Sequence, residues 1–128
     1  MHSDTVIAIP SMAPGGLDAP RSGHFGRCDA FTLVTLRGDT VVSTRVVPNG
    51  EHREGGCLVP VQLLHREGAT SVVVAGIGMR PLQGFQSMGI AVLVGPGEKV
   101  GEVVDAYLQG AVRPIGDADV CGAHHHPS

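Results

Sequence analysis

The sequence predicts an α/β fold: a mixed five-stranded sheet, strand order 3-2-1-4-5, flanked by helices. Three observations predict it. Short apolar runs bounded by turn residues recur along the chain of 128 residues, as strands buried on both faces do. The first three runs follow one another without a helix, so they form a meander. The later runs alternate with segments of helical spacing, the pattern of β-α-β units and parallel pairing. A chain of this length holds one ordinary domain, since two would each bury too small a core.

The first strand is Thr5 to Ile9, ending at Pro10. A long polar loop, Ser11 to Asp29, follows and has no period of its own; such loops in small domains are usually functional or disordered. Ala30 to Leu36 and Thr40 to Val47 form a hairpin through Arg37-Gly38-Asp39. A polar loop from Pro48 to Gly56 leads into a helix over Leu58 to Glu67, with Gly68 at its C-cap. Ser71 to Ala75 is a buried strand, and Gly76-Ile77-Gly78 a turn. Pro81 suits a first helical position, Leu82 and Phe85 give that helix its apolar side, and Gly89 stops it. Ile90 to Val94 is the fifth strand. Val100, Val103, Val104, Tyr107 and Leu108 then mark a helix by their i, i+3, i+4, i+7, i+8 spacing. Residues 1–110 are read as one domain and residues 111–128 as a flexible Cys/His-rich tail.

Composition excludes several roles. Net charge is -3, with no basic stripe, and aromatic residues are only 3%, so neither phosphate-backbone binding nor base stacking is expected and no nucleic-acid partner is predicted. No apolar run approaches the roughly 20 residues that span a bilayer, and the start of the chain lacks a basic, then apolar, secretory signal; a cytoplasmic protein with no membrane partner is expected. Three cysteines, an odd number, argue against a disulfide framework, and with seven histidines they direct attention to metal. There is no Walker loop, dinucleotide fingerprint, Gly-x-Ser-x-Gly elbow, radical-cluster cysteine motif or acidic pair in the first strand. Nothing marks a covalent catalyst except isolated cysteines.

With this strand order, the loops after the first strand, before the first helix and after the fourth strand share one edge. That edge is the carboxyl end of the parallel strands at the switch point between strands 1 and 4, where open α/β sheets bind ligands. It gathers His24, Cys28, Cys57, Gly76, Gly78 and Arg80. The segment Ser22-Gly23-His24-Phe25-Gly26-Arg27-Cys28 is the most informative: two metal-ligand types, a permanent cation and two glycines. The same segment also fits a surface loop with Phe25 in the core and a solvated histidine. Cys57 stands at a helix N-terminus, which favours thiolate, or is simply a small buried residue. Gly76-Ile77-Gly78-Met79-Arg80-Pro81 suits anion binding at a helix start, or is only a tight strand-to-helix turn. In the tail, Cys121-x-x-His124 is a half-site for zinc or iron, competing with a disordered terminus. His65 is read as a partly exposed helix residue, His52 as solvated and His2 as a weak terminal candidate.

The stretches Val6 to Pro10, Gly23-His24-Phe25-Gly26-Arg27 before the strand from Ala30, Glu67-Gly68, Ser71 to Gly78, and Met88 to Val92 resemble, in order and spacing, the dinitrogenase iron-molybdenum cofactor biosynthesis family. That family includes NifX-like and orange-protein-like chains and the C-terminal domain of NifB. The resemblance covers about residues 5 to 108. It implies a ribonuclease H-like fold and a non-enzyme: the binding or carriage, not turnover, of a metal-sulfur cluster or its precursor, of iron-sulfur or molybdenum-containing type. It implies a cluster-assembly or acceptor protein as partner, in nitrogen fixation or outside that pathway. His24 matches the family histidine implicated in cofactor binding, while Cys28 departs from the small non-sulfur residue more usual there. The leading expectation is a cluster carrier using His24, Cys28, Cys57, Cys121 and His124 as metal ligands. Arg27 and Arg80 would neutralise charge, and Gly76 and Gly78 would admit the cargo. Two alternatives stand beside it: a binding module with structural zinc on Cys57 or Cys28 with Cys121 and His124, and a metal-free, thiol-dependent regulatory domain with a reactive Cys57.

Overall fold

The computed structural model describes residues 4–25, 27–49, 58–116 and 120–121. Its elements in chain order are β1 (Thr5–Ser11), β2 (Ala30–Arg37), β3 (Thr40–Pro48), α1 (Leu58–Arg66), β4 (Ser71–Val74), β5 (Ile77–Gly78), α2 (Met79–Ser87), β6 (Ala91–Val94), α3 (Val100–Leu108), β7 (Arg113–Pro114) and β8 (Val120–Cys121). The main sheet has the order β3-β2-β1-β4-β6-β7. β1 is antiparallel to β2 and parallel to β4, β4 is parallel to β6, and β6 is antiparallel to β7.

The sheet therefore has six strands where five are expected. The sixth, β7, is two residues long and contains Pro114, so it leaves no alternation to read in the sequence. It lies at the sheet edge, where a proline costs no ladder bond to a further strand. β5 and β8 form a separate parallel pair, with Ile77 opposite Val120 and Gly78 opposite Cys121. β5 stands where a plain turn is expected. β7 and β8 both come from the segment read as tail, and strands this short carry no period of their own. α2 begins at Met79, two residues before the expected Pro81. Proline is tolerated there because the first-turn N–H groups have no intrahelical acceptor in any case.

Strand periodicity sorts the core into two clusters. Ala8, Phe31, Leu33, Val72, Val74 and Val92 face α1 and α2, meeting Val61, Leu64, Leu82 and Phe85. Ile7, Ile9, Val34, Leu36 and Val73 face α3 through Val100, Val103 and Val104. β4, between β1 and β6 and covered on both faces, is buried at every residue. β3 is the open edge and is exposed or half-buried throughout. Past α3 the chain rounds the β6 edge: Val112 packs with the α3-side cluster, β7 pairs with β6, and Ile115 packs with the opposite cluster. Among the described residues no helix is long and apolar enough to cross a membrane.

Phe85 of α2 is fully buried and meets Phe25 of the long loop edge to face, with ring centroids 5.2 Å apart. Phe85→Ala is expected to lower unfolding stability by about 3–5 kcal/mol. It is also expected to loosen the loop around Phe25. Urea unfolding and amide exchange over residues 22–25 check both.

Candidate functional site

The carboxyl ends of β1, β4 and β6 lie along one edge, because these three strands are parallel. The loop after β1 returns to that edge twice. Ser22 donates its backbone N–H to the Pro10 carbonyl at 2.8 Å, and Asp29 donates to the Ser11 carbonyl at 3.1 Å. The stretch between these ties is anchored by Phe25, buried between Phe31 and Phe85 with centroids at 5.4 and 5.2 Å. Its neighbours are displayed outward: His24 and Arg27 are exposed. The Ser22 hydroxyl accepts the His24 N–H at 3.2 Å and donates to the His24 carbonyl at 3.1 Å, fixing the backbone from which the imidazole projects. A buried Phe25 beside an exposed His24 satisfies the plain-loop reading and equally presents the histidine to a ligand.

Cys28 has a different fate from its neighbours. It is 4% exposed and belongs to the core cluster on the α1–α2 side. Its thiol donates to the Phe25 carbonyl at 3.2 Å. The Asn49 side-chain amide donates to the Cys28 carbonyl at 2.9 Å and approaches the sulfur at 3.7 Å. Burial pushes the thiol up to about 11, only partly opposed by hydrogen bonds from Ser11, Asn49 and nearby backbone. In this enclosed position the sulfur packs as a small apolar group.

The loop after β4 brings Gly76 and Gly78 to the same edge, both half-buried. Gly78 is the N-cap of α2, with φ -75°, and a Cβ there would meet only the Pro81 ring at ordinary contact distance. The local chain does not require glycine at 78. Arg80, exposed in the first turn of α2, lines a groove of about 350 Å³ with Val61, Gln62, Gln83 and Ser87 between α1 and α2. The pairing of β8 with β5 carries the tail to this loop and sets Cys121 in register with Gly78. Cys57 and His124 lie outside the described residues. Among the described residues no three His, Cys, Asp or Glu side chains form a group that holds a metal ion, and the structural-zinc alternative finds no support there.

One residue at this edge escapes sequence reasoning: Arg21. Its Nη1 donates to the carbonyls of Gly95 at 2.5 Å and Gly97 at 3.3 Å, in the turn after β6. Its backbone N–H donates to the Glu98 carbonyl at 2.9 Å. Val100 and Gly101, at the start of α3, donate to the carbonyls of Ala19 and Leu17. The long loop is thus fastened on one side through Phe25 to α2 and on the other through Arg21 to the β6–α3 turn. Nothing in Pro20-Arg21-Ser22 marks the arginine beforehand, because its partners are backbone carbonyls more than 70 residues away.

A mixed α/β sheet with three loops gathered at a switch point is a ligand-binding frame. The comparisons make the class specific. Residues 6–110 match the family described as dinitrogenase iron-molybdenum cofactor, and the chain belongs to that family. The apo form of the orange protein from Desulfovibrio gigas superposes with a TM-score of 0.77 at 27% identity, over 91% of this chain and 97% of that one. The crystal structure of PH0822 gives 0.75 at 29% identity, over 88% and 98%. The uncharacterised protein MJ0580 of Methanocaldococcus jannaschii is 26% identical over 96 residues, 72% of this chain and 80% of that protein.

The raised Cys28 thiol has two consequences. At pH 8 Cys28 is expected to resist alkylation in the folded protein and react fast in urea, read by peptide mass mapping. Because the folded value lies above the unfolded value, its contribution to stability is present below about 9 and is lost as pH rises through about 11. A Cys28→Ala variant is expected to lose that part of the alkaline stability decline.

Proposed function

We propose that this protein binds a metal-sulfur cluster or cluster precursor, of iron-sulfur or iron-molybdenum type, and carries it for cofactor assembly or delivery. Membership of the dinitrogenase iron-molybdenum cofactor family over residues 6–110 is the observation that carries this reading. The exposed His24 on its fastened loop and the register of Cys121 with Gly78 agree with it. The chain acts as a carrier rather than an enzyme, in the cytoplasm, on a sheet of ribonuclease H-like type. Residues 1–110 form the binding domain, and the tail from 111 brings further ligands.

The cargo would be held by soft and borderline donors: the His24 imidazole, the Cys121 thiolate and, from their sequence positions, Cys57 and His124. Arg27 and Arg80 offset the negative charge of a sulfide-rich cluster. Cys28 is left out of the ligand set, because its thiol would first have to leave the core and the Phe25 carbonyl. Gly76 and Gly78 let the backbone approach the cargo closely. The partner is a protein that builds the cluster or accepts it.

The test is anaerobic reconstitution with iron and sulfide, with and without molybdate, followed by desalting and measurement of retained metal and visible absorption. His24→Ala is expected to retain several-fold less metal at an unchanged unfolding midpoint, and Cys121→Ser to retain less as well. Equal retention by His24→Ala and the parent protein contradicts the assignment of His24.

A further inference from the structure

Arg21 starts from the end of β1, where it forms a bridge with Ser11, and its side chain reaches the turn that follows β6. β4 lies between those two strands, so the guanidinium crosses the carboxyl edge of the three parallel strands at the switch point. A guanidinium carries five N–H donors in a rigid plane. Nη1 is engaged by the Gly95 and Gly97 carbonyls. Nε and Nη2 are closed to solvent and have no acceptor among the described residues.

These two nitrogens are not an arbitrary pair. They form the side-on fork of the guanidinium, whose N–H bonds point the same way and match two oxygens of one anion. Arg37 shows that fork filled: its Nε and Nη2 donate to the two carboxylate oxygens of Asp4 at 3.0 and 3.3 Å. In Arg21 the same two nitrogens are closed to solvent and have no acceptor among the described residues. Burial also pulls the Arg21 guanidinium below its usual range, a sign that two neutral carbonyls do not replace the lost hydration of the cation. Buried charged donors without acceptors are costly, and native proteins satisfy them with a partner.

We infer that Arg21 is an anion receptor at the carboxyl edge of the sheet, its Nε–Nη2 fork taking two oxygens or sulfurs of one small bidentate anion. The class is a carboxylate, a phosphate or a tetrahedral oxo- or thio-anion. The source is either a free anion or the anionic face of the cargo, and in the second case the inference rests on the cluster-carrier reading above. Because the fork is closed in this state, binding is coupled to a shift of the segments packed around it. Those segments are the loop after β1 and the Gly95–Gly97 turn.

The test is calorimetric titration of the full chain with inorganic phosphate, sulfate and molybdate, for the parent protein, Arg21→Lys and Arg37→Gln. At least one of the three is expected to bind the parent protein with one site per chain and to raise its unfolding midpoint. Arg21→Lys keeps the charge but loses the fork, and affinity is expected to fall at least tenfold, on the order of the loss of one bidentate charged pair. Arg37→Gln is expected to bind as the parent does. The Arg21 Nε–H resonance of the unaltered protein reads the same question without a variant, and it is expected to shift on saturation. No binding by any of the three, equal binding by Arg21→Lys, or an unmoved resonance overturns the inference. Anion binding through Arg21 with failed iron-sulfide reconstitution leaves the receptor standing and removes the cluster reading. Cluster retention with no anion effect does the reverse.

Discussion

β1 has to satisfy two neighbours that run in opposite senses. On one side it pairs antiparallel with β2 along its whole length; on the other it pairs parallel with β4 through Ile7 and Ala8. A parallel neighbour needs a crossover, so the chain must leave the sheet, pass through α1 and return. An antiparallel neighbour needs only a return loop, yet here that loop runs from Met12 to Asp29 before β2 begins. Both connections open at the edge that holds the carboxyl end of β1: the long loop directly after β1, and the crossover after β3, whose end pairs through Ala30 with the same edge. The long loop is therefore set above the ends of β1, β4 and β6, and the fold creates the site as a by-product of pairing.

Such a loop is useful only if it is held, and it is held from both faces of the sheet. Phe25 inserts between Phe31 and Phe85 on the α1–α2 side, a burial worth a few kcal/mol. Arg21 crosses to the β6–α3 turn, and Leu17 and Ala19 cap the first N–H groups of α3. His24 lies between these fastenings on a backbone held by Ser22, and Arg27 lies just past Phe25; both are exposed. The same packing that displays His24 takes Cys28 inward, where a short side chain fills space beside Phe25 and Asn49. Neighbouring residues of one motif thus end in opposite environments.

The meander and the three helices were legible because strands and helices of four or more residues carry a period. The loop edge was legible because it follows from which strands are parallel. β5, β7 and β8, at two residues each, were not, since no period exists at that length. Within the site, Phe25 in the core and His24 outside were among the readings the residues allowed. The burial of Cys28 was not fixed by spacing, because spacing places a residue in a loop but not its side chain in or out of the core. Arg21 was invisible for another reason: its acceptors are backbone carbonyls, and any residue type supplies those. Family membership rests on motifs spread from Val6 to Val92, and sequence carried it well.

The proposed role of the loop edge is to hold a metal-sulfur cargo. Its most direct test is the protein as isolated: anaerobic purification without a histidine-affinity step, then iron, molybdenum and acid-labile sulfide per chain with the visible spectrum. A cluster carrier is coloured as isolated and holds iron or molybdenum and sulfide in fixed proportion to the chain. A colourless protein that holds neither metal nor sulfide, and gains neither when supplied with both anaerobically, would contradict it.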